Sequence, residues 1–108
     1  MTPADQAAHA YIDAVNSADL DQLAGLFASD ATVLHPMGTF QGADAIREFY
    51  ATGVLAHAPR IIASEWVTAG DHCMFELEAS AAGRTSHAID HLTVDERGRI
   101  VRMAIGYR

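Results

Sequence analysis

A single cysteine, Cys73, stands in a chain of 108 residues, which excludes an internal disulfide and a cysteine-based metal knuckle. Basic charge is scarce too. Seven Lys and Arg face fourteen Asp and Glu, a formal net charge of −7. Nucleic acid and anionic membrane surfaces are held by a basic footprint, and this composition has none to offer. No apolar run approaches membrane-spanning length. The opening MTPADQ lacks the pattern of a secretory signal, and there are no repeats or low-complexity segments. These absences leave one domain over residues 1–108, expected to be soluble and cytoplasmic, with no cofactor or metal implied. Half of the residues are apolar, so a real core can form. A domain of this length buries well over half of the surface its unfolded chain exposes.

The residues present are periodic. Thr2-Pro3-Ala4-Asp5 predicts a helix start: threonine caps, proline suits the first helical position, and Asp5 favours the positive helix end. Ala8, Tyr11, Ile12 and Val15 then recur at helical spacing, until Asn16-Ser17 ends the run. Asp19, with Gln22 three residues on, resembles a capping box for a second helix. Leu20, Leu23, Leu26 and Phe27 form its stripe. This helix is expected to end near Ser29 and Asp30, ahead of a short apolar strand, Ala31 to Leu34. Gly42-Ala43-Asp44 opens a third helix with Ile46, Phe49 and Tyr50 facing inward. From Arg60 the period changes to two. Strands are predicted over 60–69, 72–81, 84–94 and 99–107, joined by short turns that imply an antiparallel meander. The fold class is α+β, with three N-terminal helices packed on one face of a curved, mainly antiparallel sheet. Apolar residues on the other face point to a second copy covering it, a homodimer through the sheet.

Two positions carry chemistry. His35 ends the apolar strand just before Pro36, which keeps it extended and stiffly held. If that strand end opens into a pocket, His35 is a fixed base at its edge. Asp90 lies between Ala88 and Leu92 on one face of the third long strand, a face the helices cover. Burial without a cation partner raises a carboxyl's pKa and leaves it a hydrogen-bond donor. His87 and His91 share the opposite face. With His72 they are candidate metal ligands, but no further ligand is fixed by spacing, and a surface or interface role is the reading preferred. Phe40, Trp66 and Met74 read as core or pocket wall, His9 and His57 as surface residues.

The segments YIDAVNSADLDQLAGLFASDATV at 11–33, HPMG at 35–38, AIREFY at 45–50, AIDHL at 88–92 and GRIVRMAIGY at 98–107 resemble the ketosteroid isomerase group of the NTF2-like (SnoaL-like) superfamily. The resemblance spans nearly the whole chain. It implies a cone enclosing an apolar pocket for a small hydrophobic substrate, steroid-like or polyketide-like. It also implies proton transfer through an enolate whose oxygen accepts hydrogen bonds from a tyrosine and a neutral aspartic acid. That family is itself the known example of a carboxylic acid kept neutral, so this role comes with the resemblance. It falls on Asp90, with Tyr11 as the tyrosine donor and Tyr50 as a supporting hydroxyl. Phe27 stands where some relatives carry a further tyrosine, and Tyr107 matches an aromatic wall. Met37, Phe49, Ala88, Leu92 and Met103 complete the expected pocket. The departure is at the base: the family reads E-D-P where this chain reads Leu34-His35-Pro36. Neutral imidazole must create an imidazolium and an enolate together, which costs more in an apolar site than passing on a negative charge. A polyketide-type cyclase or dehydratase and a non-catalytic binder are the alternatives on the same scaffold.

Overall fold

A computed structural model describes residues 1–108. Helix α1 (Pro3–Asn16) begins at a full capping box. The Thr2 hydroxyl accepts the Asp5 N–H at 3.1 Å, and the Asp5 carboxylate accepts the Thr2 N–H at 3.4 Å. Asp19 caps α2 (Leu20–Gly25) by accepting the Gln22 N–H. Helix α2 stops earlier than its apolar stripe suggests. Phe27 already belongs to strand β1 (Phe27–His35), and Ser29 and Asp30 are exposed strand residues rather than a helix end. The apolar pattern continues through the boundary because Phe27 and Ala28, now in the strand, are buried as well. A turn at Pro36-Met37 leads into β2 (Gly38–Gln41), a short strand that the sequence reading did not separate. Helix α3 (Ala43–Gly53) buries Ile46, Phe49 and Tyr50, and a 3₁₀ turn (Leu55–His57) follows it.

The long strands lie where the two-residue period puts them: β3 (Arg60–Ala69), β4 (His72–Ala81), β5 (Arg84–Val94) and β6 (Ile100–Tyr107). They form one six-stranded sheet in the order β2-β1-β6-β5-β4-β3. All pairings are antiparallel except β1 with β6. A register shift in β3 between Ser64 and Val67, with Glu65 at φ 54°, turns Trp66 onto Phe75 and the His9 ring of α1. The core sits between the helices and the inner sheet face, filled by Leu23, Val33, Phe75, Leu92, Ile100 and Met103. No helix is long and apolar enough to cross a membrane. On the outer face Ile62, Val67, Met74 and Ile89 are exposed; this is the face expected to meet a second copy.

One clamp sets the spacing of helix and sheet. The Asn16 amide donates to the Ile61 carbonyl at 3.0 Å and its oxygen accepts the Ile61 N–H at 2.7 Å. The end of α1 is thereby tied to the start of β3. Space is left between them, where small side chains follow on β4 and β5.

Candidate active site

That space is a cavity of about 490 Å³, within the range of small-molecule sites. It is lined from α1 by Tyr11 and Val15, from β1 by His35, and from the sheet by Leu77, Ala88, Asp90, Ile105 and Tyr107, among others. The alternation of β5 explains why Asp90 faces it. Ser86, Ala88, Asp90 and Leu92 share the inner face, and Asp90 sits across from Phe75 on β4 and Ile105 on β6. Its neighbours along and across the sheet are thus mainly apolar. Asp90 is 2% exposed, and its Oδ1 has no hydrogen-bond partner. Desolvation pushes its pKa up to about 7. The group is therefore a neutral acid below that pH and a carboxylate above it. Either form has an oxygen with no protein partner, in a residue that forms part of the cavity wall.

Tyr11 and Tyr50 share a hydrogen bond of 3.0 Å between their hydroxyls. Tyr50 lies behind the cavity wall, fully buried, packed on Phe27 and Phe49, and Tyr11 is its hydroxyl's partner. Either hydroxyl can donate in that bond; when the hydrogen comes from Tyr50, the Tyr11 O–H is left to donate into the cavity. Burial raises the pKa of both phenols, and the Asp90 charge raises them further, so they stay protonated.

His35 stands at the cavity edge with both nitrogens engaged. Nδ1 accepts the backbone N–H of Met37 at 3.1 Å, and Nε2 lies 3.0 Å from the Tyr107 hydroxyl. A neutral ring whose Nδ1 accepts carries its hydrogen on Nε2, and that hydrogen points to the Tyr107 oxygen. The ring packs on Phe49 and edge-on to Tyr107. Desolvation lowers its pKa from the ordinary histidine value.

Tyr11, His35 and Asp90 are thus brought to one cavity, together with Ala88 and Tyr107. The rest of the expected pocket falls elsewhere. Met37 is 84% exposed at the β1–β2 turn, and only its backbone N–H serves the site; the turn after Pro36 swings the side chain outward. Leu92 and Met103 lie deeper, in the packed core. Phe27, Phe49 and Tyr50 form the layer behind the wall. Trp66 and Phe40 pack on neighbours away from the cavity. On the outer face His72 and His91 meet at 2.9 Å, but His87 turns to Glu78, so the three histidines do not converge. The sequence reading missed Val54, His57, Ile61, Arg84 and Ile105 at the cavity. The alternation of β5 already placed Arg84 on the face of Asp90. The 3₁₀ turn that presents His57 left no such mark.

A curved antiparallel sheet with helices on one face and an apolar, acid-bearing cavity between the layers is the architecture of NTF2-like domains. The chain belongs to the SnoaL-like domain family, whose model matches residues 8–103. Among solved structures it is similar to the polyketide cyclase candidate SMa1630 from Sinorhizobium meliloti, with 26% identity and a TM-score of 0.84 over 97% of this chain and 99% of that one. RV0760c from Mycobacterium tuberculosis, in complex with estradiol-17beta-hemisuccinate, matches at 19% identity and a TM-score of 0.85, covering 97% and 93%. A ketosteroid isomerase candidate from Kribbella flavida matches at 15% and 0.87, covering 98% and 78%.

Proposed function

We propose that the protein is an acid–base enzyme of the steroid Δ-isomerase type. It would move a carbon–carbon double bond next to a ketone by carrying a proton through an enolate. The observation that carries this reading is Asp90: a buried carboxyl on a cavity wall, without a protein partner, with a pKa of about 7. In the neutral form it and the Tyr11 O–H, with Tyr50 supplying the hydrogen of the bond between the two phenols, are two donors for one ketone oxygen. Their bonds strengthen as that oxygen becomes an enolate, which is where rate is gained. His35 would take the proton from the carbon between ketone and alkene and return it at the far alkene carbon. Before Nε2 can accept, the ring must shift its own hydrogen to Nδ1 and release the Met37 N–H to solvent. One exposed hydrogen bond costs about 1 kcal/mol, a small part of a catalytic barrier. Binding of an estradiol ester by a structural neighbour supports a flat, apolar substrate.

The resting hydrogen bonds of His35 favour a second reading. A neutral ring with hydrogen on Nε2 is a hydrogen-bond donor, and Asp90 above pH 7 is a base. That pairing suits a cyclisation in which Asp90 takes the proton of a nucleophilic hydroxyl, the Nε2–H hydrogen-bonds the departing oxygen, and that oxygen takes its proton from solvent. The likeness to a cyclase candidate at 26% identity supports it.

The test is turnover of a β,γ-unsaturated 3-ketosteroid, followed by absorbance of the conjugated product. Activity is expected to rise as His35 loses its proton below pH 6.5 and to fall as Asp90 ionises near pH 7, a narrow bell. Asp90→Ala is expected to lower kcat by roughly 100- to 1,000-fold. No turnover by the wild type, with binding of a phenolic steroid intact, would replace isomerisation by the cyclase reading.

A further inference from the structure

The mouth of the cavity differs from its floor. Strand β5 starts at Arg84, directly after the two-residue turn Ala82-Gly83. Both turn residues have positive φ, 52° and 76°, the geometry of a hairpin turn that matches strand twist. The hairpin therefore fixes where Arg84 starts, and alternation puts it on the cavity face with Ser86, Ala88 and Asp90. Six residues of extended strand set the backbones of Arg84 and Asp90 roughly 20 Å apart, at opposite ends of the cavity wall.

Arg84 is the fully charged cation of that wall. The chain has no lysine, and its seven cations are arginines set among fourteen carboxylates. Arg47, Arg99 and Arg108 pair with Asp21, Asp95 and Glu76. Arg84 has no carboxylate partner, and the acid that shares its cavity is Asp90 at the far end. His57, from the 3₁₀ turn after α3, and Ser86 line the same cavity. An arginine fork fits the two oxygens of a carboxylate. One cation matches one negative charge, whereas a doubly charged phosphate would remain uncompensated.

We propose that the mouth is an anion subsite. The ligand has an apolar body that fills the cavity and ends in a carboxylate held by Arg84, with His57 of the same lining as a further donor. This deepens the reading of the cavity as the substrate site and rests on it. The substrate class narrows from any flat hydrophobic ketone to an amphipathic one, acidic at the end opposite the ketone.

The probe is a phenolic steroid with a succinyl ester at its far end, compared with the methyl ester of the same compound. The two match in size and differ in charge. Calorimetric titration at pH 8 is expected to show the acid binding roughly tenfold tighter than its methyl ester. Arg84→Gln is expected to bring the acid down to the level of the ester and to leave the ester unchanged. Arg84 is exposed, so folding is not at risk; a melting curve checks it. Equal affinities in the wild type, or a preference that survives in Arg84→Gln, would overturn the anion subsite alone. Binding of neither compound would overturn the cavity reading and the subsite with it.

Discussion

Strand β5 runs through two interiors. At Leu92 and Val94 the inward side chains meet Cys73, Met103 and Ile100 in a packed layer. Two residues earlier, Asp90 and Ala88 face a cavity, and the lining becomes smaller and more polar toward Ser86 and Arg84. The same sheet and the same α1 cover both halves. The difference is side-chain volume: leucine and methionine fill the space at one end, and alanines at 79, 81 and 88 leave it open at the other. Close packing and open space thus fall at opposite ends of one strand, and the border between them is Asp90.

Substitutions can break that division. The largest effect is expected at the packed end. Leu92→Ala leaves a void among fully buried neighbours and is expected to cost about 2–5 kcal/mol in urea unfolding, with steroid affinity retained in the folded fraction. A cost below 1 kcal/mol would mean that this end is not packed. The border comes next. Asp90 keeps its proton in the folded state up to about pH 7, while the unfolded chain releases it near 3.8. The folded state therefore binds more protons between these values, and stability falls as pH rises through that window and is flat above it. Asp90→Asn removes the titration. Its unfolding free energy should exceed that of the wild type above pH 7, by up to on the order of 4 kcal/mol, and the gap should close toward pH 4. A gap independent of pH would show that Asp90 is not held neutral. The smallest effect on stability is expected at the open end. Ala88→Leu grows into the cavity, so unfolding should change by less than about 1 kcal/mol while steroid binding is lost. Retained binding would place the ligand elsewhere.

Much of this division can be read from the residues alone. The limits of β3, β4 and β5 follow from period-two alternation bounded by glycine turns, and Asp90 among apolar neighbours on β5 is visible as an anomaly before any fold is known. Thr2 and Asp19 announce the starts of α1 and α2. Less legible is the region from Phe27 to Gln41. A buried stripe runs on from helix into strand there without a break, because Leu23 of α2 and Phe27 and Ala28 of β1 all face the core. The cavity is also shallower than the face pattern implies, with Leu92 and Met103 outside it, since alternation tells which face a residue takes but not how far along it the space is filled. Met37 illustrates the converse. Adjacent to His35 in sequence, it turns away, and only its backbone N–H, which no side-chain pattern encodes, acts on the imidazole. That main-chain contact is what puts the hydrogen of the resting imidazole on Nε2.

The parallel pairing of β1 with β6 bears on how the molecule folds. The meander from β3 to β6 can zip locally, each hairpin closing a short loop. The strand carrying His35 belongs to the other half of the chain, and its bond to Tyr107 spans 72 residues. Closing so long a loop has an entropic cost that local hairpins do not meet, and non-local pairings of this kind slow folding. A chain with its meander formed but β1 undocked would hold Asp90 and lack His35 beside Tyr107. The imidazole arm of the site is therefore absent from every partly folded state that precedes this one contact.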